Sequence, residues 1–155
     1  MNALLTATTA ARFSKNVLYH AIELNPLPAE VYSKLNYSQI LKQPELYKAI
    51  MQTGWEQMLF ISPFFKLKKI NDDLLKYLFT DRIDIIYFDP FAPEDQSEIW
   101  SDTIYEKMFN VLNNEGILMT YCSKSVVRKA LQQAGFAVEK LQGPRGKREI
   151  VRAVK

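Results

Sequence analysis

Glycine is scarce in this chain and comes late. Five glycines occur in 155 residues, and the earliest is Gly54. A glycine-rich loop that wraps a phosphate or a dinucleotide needs several closely spaced glycines, so no such loop occurs before that point. Cysteine is nearly absent too. Cys122 stands alone, which excludes an internal disulfide and suits a reducing cytosol. With one histidine, His20, there is no Cys/His cluster to hold a metal, and His20 lies in an apolar run where a packing role is expected. No apolar stretch approaches the roughly 18 residues of a membrane span, so no membrane partner is expected. Acid is missing from the start: the first is Glu23, which gives the Thr-rich, Arg-containing opening the composition of a transit peptide.

Apolar residues make up 48% of the chain, enough for a sizeable core, and the length fits one domain over residues 1–155. The formal net charge is only +3, but nine Lys or Arg from Lys124 onward face just Glu139 and Glu149. Such a basic region suits either a phosphate-bearing partner or a solvated surface.

Hydrophobic patterning predicts alternating strands and helices. Val17 to Ile22 reads as a strand, and "NPLPAEVYSKL" as a helix entered through Pro26 and Pro28. A helix is expected at about 43–57, a half-exposed strand at Phe64 to Ile70, and a short helix at Asp72 to Phe79. The alternation continues with strand 83–88, helix 98–112, strand 116–121, helix 125–134 and strand 136–141, Gly116 and Gly135 marking helix stops. "GPRG" at 143–146 reads as a turn into a last strand, Glu149 to Val154, closing an antiparallel hairpin. Alternation of this kind implies a mostly parallel sheet covered on both faces.

Three acids, Glu23, Asp72 and Asp89, fall at or just after the ends of predicted strands. In an open α/β sheet that edge is the ligand edge, and all three are expected to gather there. Glu23 is placed to accept two hydrogen bonds from a ribose diol, and Asp72 to accept from an adenine amino group; each also suits an ordinary loop or helix-cap carboxylate. "DIIYFDPFAPEDQSEIW" is more specific, since a buried strand delivers Asp89-Pro90-Phe91 to the edge. An acid-proline-aromatic turn resembles the amine-holding turn of amino-group methyltransferases. An amine attacks a methylsulfonium only through its lone pair, so acceptors must hold its hydrogens and aim that pair. A plain Asp-Pro turn is the competing reading.

Taken together, "YHAIELNPLPAEVYSKLNY", "DIIYFDPFAPEDQSEIW" and "GFAVEKLQGPRGKREIVRAV" resemble a known family over nearly the whole length. It is the S-adenosylmethionine-dependent methyltransferase of wobble-uridine tRNA modification, the MnmC/MnmD type, which acts on 5-aminomethyl-2-thiouridine. The resemblance implies an α/β, Rossmann-like class I methyltransferase sheet, mostly parallel, with a C-terminal antiparallel hairpin. It implies S-adenosylmethionine as cofactor, with Glu23 and neighbouring Leu24 at the ribose, Asp72 near the adenine, and Asp89, Pro90 and Phe91 at the reacting amine. It implies tRNA as partner through its anticodon loop, with Phe91 and Trp100 stacking the uracil and Lys124, Arg145, Lys147 and Arg148 near the RNA. For Lys147 and Arg148 a hairpin salt bridge to Glu149 is an equal alternative. "TYCSKSVVRKAL" corresponds to the family's strand and following helix beside the site.

Members of that family carry a first strand ending in an acid-x-Gly-x-Gly-x-Gly-like loop. "MNALL" matches the helix after that loop, so the first strand is expected to be missing, which accounts for the acid-free start better than a transit peptide does. A missing central strand leaves unpaired edges, to be repaired by direct pairing of its neighbours or by strand exchange in a homodimer. A fused oxidoreductase domain after Lys155 is not expected. Two other functions fit: a truncated or degenerate fold serving as a non-catalytic RNA-binding or dimerising module, and, on the Asp-Pro-Phe turn alone, an amino-methyltransferase acting on adenine or cytosine.

Overall fold

A computed structural model describes residues 1–144 and 146–155. Arg145, and with it part of the expected "GPRG" turn, lies outside the described residues. The chain forms two compact units, Met1–Tyr77 and Leu78–Lys155.

The first unit opens with α1 (Asn2–Phe13), rich in Ala and Leu, which are strong helix formers. Its threonines are accommodated because Thr6 and Thr8 donate back to the carbonyls of Asn2 and Leu4, one turn earlier. Ser14 ends the helix in the left-handed conformation, φ 50°. Strand β1 (Val17–Ile22) follows, then the short helices α2 (Ala29–Tyr32) and α3 (Tyr37–Ile40), and α4 (Pro44–Gln52), which starts with proline, where the missing N–H costs nothing. Strands β2 (Met58–Ser62) and β3 (Phe65–Ile70) complete a sheet of order β1-β3-β2, with β1 parallel and β2 antiparallel to β3. Phe65 and Leu67 are buried with Leu4 and Ala7 of α1 and Ile50 of α4, and Val17 and Tyr19 pack on the same cluster.

Several expectations are corrected here. β3 is half-exposed as expected, with Phe65, Leu67 and Ile70 buried, but it lies at the centre of its sheet, paired on its second side with β2, a strand the patterning does not predict. The helix expected over 43–57 ends at Gln52, and the one entered through Pro26 and Pro28 shrinks to α2. The expected helix from Asp72 to Phe79 is a single turn: Asp73 accepts from the Leu75 N–H through its side chain and from Lys76 and Tyr77 through its carbonyl, and Leu78 is 80% exposed. So short a segment with no buried face cannot offset helix nucleation.

The second unit runs β4 (Ile83–Phe88), a 3-10 turn at Ser97–Trp100, α5 (Asp102–Val111), β5 (Leu112–Thr120), α6 (Ser125–Gln133), β6 (Ala137–Gln142) and β7 (Glu149–Val154). The sheet order is β4-β5-β7-β6, β4 and β5 parallel, β7 antiparallel to both its neighbours. Ile104, Tyr105 and Met108 of α5, Leu131 of α6, and Leu118, Val151 and Ala153 of the strands are buried. Gly135 ends α6 as expected, with φ 107°. Gly116 instead lies inside β5, at an irregularity in its pairing with β4; a Cβ there would meet the Asn113 carbonyl at 2.7 Å.

Among the described residues β1 pairs with β3 alone and β4 with β5 alone. Among the described residues no helix is long and apolar enough to cross a membrane.

Candidate active site

At the carboxyl end of β4, Phe88 is buried and the chain turns out through Asp89, Pro90 and Phe91. Both carbonyls after Asp89 are held by ring donors. The Tyr121 hydroxyl donates to the Pro90 carbonyl at 2.9 Å, and the Trp100 indole N–H donates to the Phe91 carbonyl at 2.8 Å. The two rings meet edge to face at 6.0 Å, and Trp100 packs edge to face on Phe88 at 5.2 Å. The turn is therefore braced from beneath while the Phe91 ring stands 76% exposed.

This corrects one expected role. Trp100 is only 9% exposed and both its ring contacts and its N–H are engaged, so it supports the turn rather than offering a face to a base. Phe91 keeps that face. Tyr121 was not singled out in the sequence; its signal was its position one residue past β5 in "TYCSKS", the segment matched to the family's site. Burial raises the Tyr121 pKa above its usual value, with Cys122, Asp89 and Asp95 adding to the effect, which keeps the hydroxyl a donor.

The basic residues fall into distinct settings. The Lys147 ammonium lies 4.6 Å from the centre of the Tyr121 ring, a cation–π contact. The salt bridge to Glu149 that was weighed for Lys147 or Arg148 is made by Lys140 instead, at 2.8 Å across the β6–β7 pair. That hydrogen bond from Lys140 is the main reason the Glu149 carboxyl is held below its usual pKa. Arg148 accepts the Gly143 N–H through its carbonyl at 3.1 Å, closing the hairpin. Lys124 is ion-paired with Glu94.

Glu23 and Asp72 stand on the first unit, at the carboxyl ends of β1 and β3. The Glu23 N–H continues the ladder to the Ile70 carbonyl, and one carboxylate oxygen accepts from the Asn25 N–H at 2.9 Å. Asn71 ties the strand ends together, its side-chain amide donating to the carbonyls of Glu23 and Leu24 at 2.9 and 3.0 Å. Asp72 accepts from the Asp73 N–H at 2.7 Å. Glu23, Leu24 and Asp72 thus gather at one strand edge, while Asp89 belongs to the other unit. A carboxylate one residue past a parallel strand fits the ribose of an adenosine, and Glu23 spends only one oxygen on its own turn. Among the described residues no group of three His, Cys, Asp or Glu could hold a metal ion.

Residues 37–155 match the model of an S-adenosyl-L-methionine-dependent methyltransferase family. The chain is 32% identical over 146 residues to the tRNA 5-methylaminomethyl-2-thiouridine biosynthesis bifunctional protein MnmC of Actinobacillus pleuropneumoniae, covering 88% of this chain and 22% of that protein. With the protein of the same name from Burkholderia thailandensis it shares 36% identity over 70 residues, 45% of this chain and 11% of the relative. The chain thus spans about a fifth of the length of the first of these relatives. Among solved structures, MnmC2 from Aquifex aeolicus superposes with a TM-score of 0.70 at 19% identity, over 96% of this chain and 46% of that one. A methyltransferase from Pyrococcus furiosus gives 0.58 at 17% identity, over 97% and 68%. These likenesses bear out the Rossmann-like class I fold, and the family match over most of the chain decides the rest: this chain belongs to the S-adenosyl-L-methionine-dependent methyltransferases.

Proposed function

We propose that the chain carries out methyl transfer to the primary amine of 5-aminomethyl-(2-thio)uridine at the wobble position of tRNA. The observation that carries this reading is the braced Asp89-Pro90-Phe91 turn, an acid and an exposed aromatic on a support that fixes their backbone. The similarity to MnmC, a protein named for tRNA 5-methylaminomethyl-2-thiouridine biosynthesis, supports the choice of substrate.

In this reading Glu23 and Asp72 hold the adenosine half of S-adenosyl-L-methionine, Glu23 accepting from the ribose hydroxyls and Leu24 lying alongside. When bound, that cofactor supplies an electrophilic methyl group. Once solvent has taken the extra proton of the substrate ammonium, Asp89 accepts a hydrogen bond from the neutral amine and so keeps its lone pair aimed along the line of displacement. Phe91 stacks the uracil of the unstacked anticodon-loop base, a contact worth about 1–3 kcal/mol. Lys147 and Arg148 on the β6–β7 hairpin, with Lys124 and Arg145, meet the RNA backbone. Cys122, a buried free thiol, fits a cytoplasmic setting.

The test is methyl transfer from labelled S-adenosyl-L-methionine to tRNA bearing aminomethyl-uridine. Asp89→Ala should reduce the rate by about 10²–10⁴-fold without changing thermal stability. Retained activity would remove Asp89 from its role, and transfer to unmodified nucleic acid instead would favour an adenine or cytosine substrate.

One observation favours a second reading, a methyltransferase fold acting as an RNA-binding or dimerising module. β1 and β4 are each hydrogen-bonded on one side only, and an open strand edge accepts a further strand, here from a second copy in a homodimer. That reading predicts RNA binding with no measurable affinity for S-adenosyl-L-methionine.

A further inference from the structure

The first unit's sheet has two unlike faces. One is closed by α1 and α4 over Val17, Tyr19, Phe65 and Leu67. Strand alternation puts the intervening residues on the other face. There the register aligns Leu18, Lys66 and Phe60 in one row across the three strands, and His20, Lys68 and Met58 in the next. Leu18 is 49% exposed, Met58 46% and Phe60 70%. The Lys66 ammonium sits 4.4 Å from the Phe60 ring centre, and both residues line a groove with Leu18, Met58, Pro63 and Phe64.

Charge decides what such a face accepts. No residue of β1, β2 or β3 is acidic, and β3 alone carries Lys66, Lys68 and Lys69. Lys69 points the other way, donating to the Met51 carbonyl at 2.9 Å and lying over Trp55, which leaves Lys66 and Lys68 on the open face. A second copy docked face to face would set these ammonium groups against their own images, which is costly in an interface. A polyanion gains from them, and an exposed aromatic ring beside a cation suits an unpaired base.

We infer that the open face of the β1-β3-β2 sheet binds a single-stranded stretch of RNA, Phe60 stacking a base while Lys66 and Lys68 meet the flanking phosphates. This deepens the tRNA reading, on which it rests for the choice of RNA, by placing a contact surface away from the Asp89 turn.

The experiment is fluorescence anisotropy of a labelled single-stranded oligouridine titrated with the full chain over a range of salt concentrations. Phe60→Ala should weaken binding by about 5–100-fold, and Phe60→Trp should restore it. The double substitution Lys66→Gln/Lys68→Gln should reduce the slope of log affinity against log salt by about 1.4, at roughly 0.7 per phosphate released. Circular dichroism melts confirm that each variant folds. No binding by the parent chain, or affinity and slope unchanged in the variants, overturns the proposal. So does a shift in sedimentation mass for Phe60→Ala with RNA affinity unchanged, which would mark a self-contact. Calorimetric titration of S-adenosyl-L-methionine into the same samples separates the two readings: its failure sinks the methyltransferase mechanism but not this surface.

Discussion

The hydroxyl of Tyr121 donates to the backbone carbonyl of Pro90 at 2.9 Å, across 31 residues of sequence. Removing that hydroxyl leaves the ring and its edge contact with Trp100 in place, so Tyr121→Phe isolates a single hydrogen bond. Its loss should cost about 1 kcal/mol of stability. If the brace aims the Asp89 turn, kcat should fall by about tenfold or more, since misplacement by an ångström costs up to about 10², while KM stays near its parent value. Equal falls in stability and expression with unchanged kcat would assign Tyr121 to folding alone.

Trp100→Phe makes the complementary change at the next carbonyl. It keeps most of the packing on Phe88 but deletes the N–H that holds the Phe91 carbonyl. The Phe91 peptide should loosen, seen as faster amide hydrogen exchange at Phe91 and Ala92 than in Tyr121→Phe, whose missing bond lies one peptide earlier. Exchange that matches the parent in both variants would show that the turn holds itself.

Glu23→Gln tests the other unit. Glutamine keeps the shape and an acceptor oxygen but loses the charge that strengthens hydrogen bonds from a diol. Affinity for S-adenosyl-L-methionine should drop by about 10–100-fold, the range for a hydrogen bond to a charged group. Asn71→Ala should weaken the same binding indirectly, because the Asn71 amide ties the carbonyls of Glu23 and Leu24. An unchanged calorimetric titration for Glu23→Gln would take the ribose off Glu23.

Alkaline stability should depend on Tyr105. This ring is 1% exposed, and its hydroxyl has no hydrogen-bond partner among the described residues. Burial, with smaller contributions from Cys122 and Asp102, holds its pKa well above the usual 10.0. The folded chain therefore keeps a proton that the unfolded chain releases. That stabilisation is complete below about pH 10 and is lost as pH climbs from there toward the folded pKa, by up to about 1.4 kcal/mol per pH unit. Tyr105→Phe should flatten the fall of Tm above pH 10 and cost little at pH 7, since no hydrogen bond is broken. The same alkaline slope in both proteins would point to other groups.

Gly135 is irreplaceable for two reasons. Its φ is 107°, and a Cβ would lie 3.0 Å from two carbons of the Phe109 ring, which itself packs edge to face on Phe136 at 5.1 Å. Gly135→Ala should lower stability by about 1–2 kcal/mol, or about 3–6 °C in Tm for a chain of this size. A melt unchanged within error would mean that α6 ends differently in solution.

The Asp89-Pro90-Phe91 turn was legible in sequence because its signals are local. An apolar run stopped by Asp89-Pro90 can only be a strand meeting its edge, and β4 ends there. Support was not legible, because Tyr121 and Trp100 reach the turn from 31 and 9 residues away and nothing in "TYCSKS" announces a hydrogen bond to a distant carbonyl. β3 was half legible: "FKLKKI" carries Lys66 and Lys68 at alternate positions, and one face of the strand is open as that pattern suggests, but its central place between β1 and β2 depends on partners far along the chain. β2, a strand of five residues that follows Trp55, is too short for periodicity to reveal. Asp72 to Phe79 failed as a helix because none of its residues is fully buried and Leu78 stays 80% exposed, and burial is decided by the rest of the fold rather than by the segment.

The last strand in sequence is not last in space: β7 lies between β5 and β6. During synthesis β6 is complete before any partner for it exists, and it waits with both backbone edges bare until residues 149–154 have left the ribosome. At about 5–20 residues per second the delay is short. β6 joins this sheet only through β7, so a stalled or prematurely ended chain loses not one strand of this sheet but two.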